Sequence, residues 1–388
     1  MAKTRKRGTK WQYEIYVGLD PITKKEKRIS KSGFKTEREA KAAARLIELE
    51  IANGSYIKES NMSFETFAQE WLKYYRRSGV KANSIRLREK EMKHFSNVWD
   101  SYPINGISKK MYLDRIYDLS NSVSRNYLRG IHACGKLIFR YAAELGLIKI
   151  NPTENVQLPK QQLKVNDLEE IEQNIKFLEK DELALFLNMA LSEGLEMDYL
   201  IFSTLAYSGL RINELLALKW PDINVHECSL RVTKQIYNPN NKITGYQLET
   251  PKTTGSIRTI KIDEKIIDLL KKHRIHQNKI KLKNHMIYQD HGFIFARNDG
   301  HPLLRKVVVR RLERLLKKAN IDKPITLHGF RHTHCSLLIE ARVNMRVIQE
   351  RLGHESISTT EKTYSHLTAN LEKEASQKFS ELMNSLMK

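Results

Sequence analysis

The stretch LHGFRHTHC, residues 327–335, packs three histidines, one arginine and one cysteine into nine positions. Such a cluster can be a metal site, an acid/base centre, or a helix with a histidine-rich polar face. His328 and His332 are four apart, so a helix stacks them on one side, as in zinc sites of the HExxH kind. Here, however, the middle of the motif holds Arg331, and no nearby carboxylate offsets it. A guanidinium about 4 Å from a metal, at an effective dielectric of about 20, opposes binding by about 4 kcal/mol per unit of metal charge. The cluster suits an anion better than a cation, and a planar guanidinium fork matches phosphate. No metal and no cofactor is expected.

The pattern continues on both sides. Downstream, QERLGHESISTTEKTY (349–364) places a loop at Gly353-His354, a Ser/Thr-rich helix start over Ser356–Thr360, and Tyr364 ten positions after His354. Upstream, LIFSTLAYSGLRINELLALKWPDI (200–223) reads as an apolar helix broken at Ser208-Gly209, with Arg211 after the break and helical periodicity resuming in NELLALKW. An arginine beside a glycine at a helix start can meet an anion together with free backbone amides. Between these, CSLRVTKQIY (228–237) and GYQLETPKTTGSIRTIKID (245–263) alternate apolar and polar residues as strands do, and put Lys252 in a hairpin tip, TPKTTGS. Each residue alone has a plain explanation: a surface arginine, a solvated edge lysine, a half-buried tyrosine.

Together, Arg211 in SGLRINELLALKW, Lys252 in PKTTGSIRTI, His328 and Arg331 in LHGFRHTH, His354 in LGHESISTT and Tyr364 in KTYSH resemble the tyrosine recombinases, the integrases of phages and integrative elements. All six positions of that family's site are matched in order. The resemblance implies that Tyr364 is a nucleophile that attacks a DNA phosphodiester, leaving a 3′-phosphotyrosine and a free 5′-hydroxyl. Arg211 and Arg331 would bind the phosphate and its transition state, and His354 would donate a hydrogen bond to it. Lys252 would be the general acid, and His328 the general base or orienting group. His332 and His334 fall outside the motif and are read as structural, while Glu214 is read as a buttress for an arginine.

The rest of the chain agrees with a nucleic-acid partner. In 388 residues, 67 Lys and Arg face 45 Asp and Glu, a formal charge of +22 with a pI near 9.7. That excess calls for a polyanion. No run approaches the roughly 18 apolar residues of a spanning helix, and MAKTRKRGTKWQ lacks the apolar core of a signal peptide, so a membrane is not the expected partner. The expected location is the bacterial cytoplasm, in association with the nucleoid. Cys134, Cys228 and Cys335 are far apart and show no CxxC spacing, so neither disulfides nor a zinc finger is expected.

The expected fold is multidomain and mainly α with small β-sheets: a small α+β arm-binding domain, an all-α core-binding domain, and a mixed α+β catalytic domain. The boundaries are expected at 1–58, 62–158, a linker over 159–175, and 176–388 with a C-terminal tail. In the first segment, alternation around Trp11, Tyr13, Ile15 and Val17 predicts a strand, KRISKSGF a second, and Thr36 with Glu39 a capping box opening a helix that Gly54 ends. The cations Lys3, Arg5, Lys6, Arg7, Lys10, Lys25, Lys27 and Arg28 lie on this arm and its strands, where they are expected to contact DNA. Phe64, Phe67, Trp71 and Tyr74, three or four apart, are expected to point into a helical core that runs until Asn151-Pro152 closes its last helix.

The resemblance further implies double-stranded attachment sites of core and arm type, a homotetramer on synapsed DNA, and accessory bending and excision factors. The tail LTANLEKEASQKFSELMNSLMK has a helical pattern suited to docking on a neighbouring subunit or on its own domain. Three rival functions remain: a DNA-binding regulator that has lost its chemistry, a strand-nicking enzyme of the type IB topoisomerase kind, and a metallohydrolase built on the histidine cluster, which EDTA would inactivate.

Overall fold

The computed structural model describes residues 2–19, 25–53, 62–159, 177–251, 254–353, 379–380 and 383–384. The chain divides into two compact units, Met1–Gln162 and Leu163–Lys388. Among the described residues no helix is long and apolar enough to cross a membrane. Residues 160–175 of the expected linker, residue 176, and most of the C-terminal tail lie outside the described residues.

The first unit holds two separate cores. In the first, strands β1 (Lys3–Arg7), β2 (Lys10–Leu19) and β3 (Glu26–Phe34) form an antiparallel sheet in the order β1-β2-β3, covered by α1 (Glu37–Ala52). β1 was not evident in the sequence, because KTRKR has no apolar alternation to betray a strand. The register pairs Lys3 with Glu14, Arg5 with Gln12 and Arg7 with Lys10. Tyr13 and Ile15 point at α1, so the alternate residues Lys3, Arg5, Arg7 and Lys10 stand on the face away from it. Thr36 caps α1 by accepting from the Glu39 backbone N–H at 3.2 Å. The Glu39 carboxylate accepts from the N–H of Lys35 rather than from that of Thr36, so the expected capping box closes one residue early.

The second core is helical: α2 (Phe64–Arg77), α3 (Ala82–Trp99), α4 (Lys109–Ser120) and α5 (Arg125–Glu144). Ser63, Ser108 and Ser124 cap three of these by accepting backbone N–H bonds. Phe64, Phe67 and Trp71 are buried as the spacing predicts, but Tyr74 is 54% exposed, its ring stacked on Tyr141 at 4.6 Å. Nor does Asn151-Pro152 end α5. The helix stops at Glu144, where Gly146 takes a left-handed φ of 65° and the N–H of Leu147 bonds the Ala142 carbonyl at 2.9 Å.

In the second unit, α6 (Lys180–Ser192), α7 (Asp198–Ser208) and α8 (Ile212–Leu216) precede the strands, and α9 (Glu264–Lys283), α10 (Arg305–Lys318), α11 (Gly329–Glu340) and α12 (Met345–Leu352) follow. α7 is apolar on nearly every side and runs through the core, where Phe186, Phe202 and Phe330 pack ring on ring. Its start is fixed by Asp198, fully buried and ion-paired to Arg311 at 3.0 Å and Arg314 at 2.6 Å on α10.

The strands correct one expectation. β4 (Ile223–Asn224), β5 (Ser229–Val232) and β8 (Arg258–Lys261) form one sheet, and β6 (Gln235–Tyr237) pairs with β7 (Gln247–Glu249) in another. The two pairings are nested: Val232 faces Arg258, then Gln235 faces Glu249. This is one long, interrupted hairpin with its tip at 238–246. The described residues of TPKTTGS, 250–251 and 254–256, fall between β7 and β8, in a break of the returning arm and not at the tip; Lys252 itself lies outside the described residues. A polar, Gly-containing TPKTTGS reads as a turn from sequence, but only pairing register distinguishes a turn from a break.

Candidate active site

The site is organised by chain ends that meet. α7 terminates at Gly209, whose φ of 62° is left-handed, and a Cβ there would stand 2.6 Å from His334 Cδ2. Glycine is therefore required twice over, by conformation and by space. Two residues later Arg211 is the N-cap of α8. The Glu214 carboxylate accepts from the Arg211 backbone N–H at 3.1 Å and from its Nη1 at 2.7 Å, and from Arg258 Nη2 at 2.9 Å. Burial alone would raise the Glu214 carboxyl, but Arg258 and Arg211 together hold it below its usual range. The carboxylate is 2% exposed, whereas the Arg211 side chain is 36% exposed. Glu214 thus fixes Arg211 from beneath and leaves its outer side toward solvent.

α11 begins with His328 as its N-cap and carries Arg331 one turn in. Arg331 is 2% exposed. Its Nη1 donates to the Gly209 carbonyl at 2.8 Å and its Nη2 to the Leu352 carbonyl at 2.6 Å; each of these nitrogens carries a second N–H. α12 ends at Gly353, left-handed at a φ of 66°, and Arg258 Nε donates to the Arg351 carbonyl at 2.8 Å. Two guanidiniums therefore cap successive carbonyls at the negative end of α12.

The His328 ring meets that of His332 edge to face, with centroids 4.8 Å apart. Partial burial, then His332, then the cations Arg331, Arg211 and Arg305 push its pKa down to about 4. The residue is exposed, and the surrounding cations favour its neutral form at pH 7, in which a ring nitrogen can accept a proton. Arg331 donates to the carbonyl of Gly209, two residues before Arg211, and shares the first turn of α11 with His328, which brings three of the six predicted residues into one place. Lys252, His354 and Tyr364 lie outside the described residues. For Lys252 and His354 the nearest described neighbours in the chain meet at the same place: a Cβ on Gly353 would stand 3.2 Å from the Gly255 carbonyl oxygen and from Ser256 Cα.

His334 is buried and structural, as read from sequence. Its Nδ1 donates to the Ala206 carbonyl at 2.8 Å, and Nε2 accepts from Arg351 Nε at 3.0 Å; burial and Arg351 hold its pKa at about 4. Among the described residues no group of three or more His, Cys, Asp or Glu side chains comes together that could hold a metal. The sequence reading missed Arg258. The signal was available: in RTIK of β8 the inward phase falls on Arg258 and Ile260, and a charged residue at an inward strand position needs a partner.

Residues 176–370 match the Phage integrase family, and residues 1–51 match an arm DNA-binding domain. The chain belongs to the phage integrase family. As an integrase it is a tyrosine-type site-specific recombinase. It is similar to a prophage ps2 probable integrase of Lactococcus lactis, 31% identical over 363 residues that cover 91% of this chain and 92% of the relative. Two solved structures share the fold. One is a Tn1549 transposon integrase in complex with transposon right end DNA, at 22% identity and a TM-score of 0.62, covering 81% of this integrase and 100% of that chain. The other is a lambda integrase tetramer bound to a Holliday junction, at 19% identity and a TM-score of 0.56, covering 92% and 94%.

Proposed function

We propose that this integrase cuts and rejoins double-stranded attachment sites through a covalent bond between Tyr364 and a DNA 3′-phosphate, in the insertion and excision of a phage or mobile element. The observation that carries this is the joining of Arg211, Arg331 and a neutral His328 around the ends of α7, α11 and α12. Permanent cations beside a proton acceptor are what in-line phosphoryl transfer needs.

In this reading the Tyr364 oxygen attacks phosphorus and His328 receives or steers the phenolic proton. Arg211, open to solvent on one side, takes a non-bridging oxygen. Arg331 contributes fixed charge from below, and His354 adds a hydrogen bond. Lys252 protonates the departing 5′-oxygen. One phosphodiester is exchanged for another, so neither ATP nor a metal enters the balance.

The division 1–58, 62–158, 159–175 and 176–388 assigns arm-site contact to the sheet unit and core-site contact to the helical and catalytic units. Lys3, Arg5, Arg7 and Lys10 on one sheet face, with Lys6, Lys25 and Lys27 exposed at other positions, form the arm-site surface. The tetrameric form in which lambda integrase was solved on a Holliday junction supports a tetramer on synapsed DNA; accessory bending and excision factors, and a bacterial cytoplasm with the nucleoid as its setting, complete the proposal.

The test is a nicked attachment-site duplex that traps the covalent intermediate. Wild-type protein accumulates an adduct mapping to Tyr364, and Tyr364→Phe binds the duplex but forms none; an adduct persisting in that variant overturns the assignment.

A further inference from the structure

The geometry points to Arg258 as a positioning residue for strand cleavage, an inference that rests on the function proposed above. Its guanidinium donates in three directions: Nη2 to the Glu214 carboxylate at 2.9 Å, Nε to the Arg351 carbonyl at 2.8 Å, and Nη1 to the Ser256 carbonyl at 3.0 Å. These partners belong to three separate parts of the chain. Glu214 carries Arg211. Arg351 lies at the end of α12, three residues before His354. Ser256 lies in the break of the returning arm, four residues after Lys252.

Arg258 therefore sets the register of three segments from which the phosphate-binding and proton-donating groups arise. Gly353 shows how tight the junction is, since a Cβ there would stand 3.2 Å from Arg258 Cδ. Arg258 is 9% exposed and sits beneath the site, so it is not placed to touch DNA itself. A lysine in its place would still neutralise Glu214 but, as a point charge, could not span three diverging acceptors.

Charge balance and positioning therefore predict different results for Arg258→Lys. If Arg258 only balances Glu214, Arg258→Lys restores both melting temperature and cleavage. If it positions, Arg258→Lys melts close to wild type while its single-turnover cleavage rate at saturating DNA falls by about 10- to 100-fold, the scale of misplacing a reacting group by about 1 Å. Arg258→Ala falls by about 100-fold or more. DNA affinity stays within about 3-fold for both, because the loss is in the cleavage step and not in binding. The experiment compares wild type, Arg258→Lys and Arg258→Ala on the nicked attachment-site duplex, with melting curves and equilibrium binding in parallel. Arg258→Lys cleaving at the wild-type rate, or losing affinity in step with rate, overturns this role alone. Wild-type protein that makes no adduct overturns the recombination chemistry, and this role with it.

Discussion

Cations are deployed in opposite ways at the two ends of this integrase. On the N-terminal sheet Lys3, Arg5, Arg7 and Lys10 stand exposed on one face, and Arg28 is tied to Glu26 at 2.6 Å and to Glu14 at 3.7 Å. In the catalytic unit Arg258 and Arg331 are buried, and their donors are met by carbonyls and one carboxylate. Exposed cations act additively, through the field they place in solvent, and salt screens them. Buried ones act through geometry, and removing one leaves specific acceptors unmet. Charge count therefore says that DNA is the partner, while only the buried set determines where chemistry happens.

The largest expected effect tests the buried side of this contrast. Arg331→Ala leaves the Gly209 and Leu352 carbonyls without their donors, and should lower stability by about 3 kcal/mol in urea unfolding and cleavage by about 100-fold or more. A loss within about 0.5 kcal/mol would mean that water replaces the guanidinium, which would erase the distinction. The next test is pH. His334 is held at about 4, below the usual imidazole value of 6.5, so the unfolded chain takes up a proton first as the solution is acidified. Stability is then fully present above about pH 6.5 and is lost as pH falls toward 4, by up to about 3 kcal/mol. The depressed Glu214 adds to this at lower pH: its contribution is present above the ordinary carboxylate range and is lost as pH falls through its folded value. Across that window the pH dependence should become shallower in His334→Asn, with the share from His328 remaining; an unchanged slope would assign the effect elsewhere.

The smallest effects belong to the sheet. Arg5→Ala should weaken DNA binding several-fold and reduce the slope of log K against log salt by about 0.9, leaving melting and saturated cleavage unchanged. Arg28→Ala should do less than Arg5→Ala, since Glu14 and Glu26 already occupy its charge. Binding titrations over a range of salt concentrations measure both, and a reversed order would mean that Arg28 exchanges its carboxylates for phosphate.

These contrasts also mark what the sequence could reveal. The family, the mainly α fold with small sheets, and the joining of Arg211, His328 and Arg331 were legible, because motif spacing carries chemistry and helical period carries packing. Glu214 was legible as a buttress from its place three residues after Arg211. What escaped was set by pairing and by distant partners. KTRKR has no strand pattern of its own and becomes β1 only by pairing with β2. The end of α5 is decided by Gly146 and its backbone bonds, a nearer signal than the Asn151-Pro152 that caught the eye. Arg258 depends on partners 44 and 93 residues away, which no local window contains.

The nested hairpin separates two jobs along one ribbon. β5 and β8 hold Arg258 in place, while β6, β7 and the 238–246 tip extend past the break and contribute no donor to that junction. β6 nevertheless packs against α8, the helix of Glu214, so a change of length is expected to be tolerated at the 238–246 turn and to reach the cutting machinery as soon as it shifts β6.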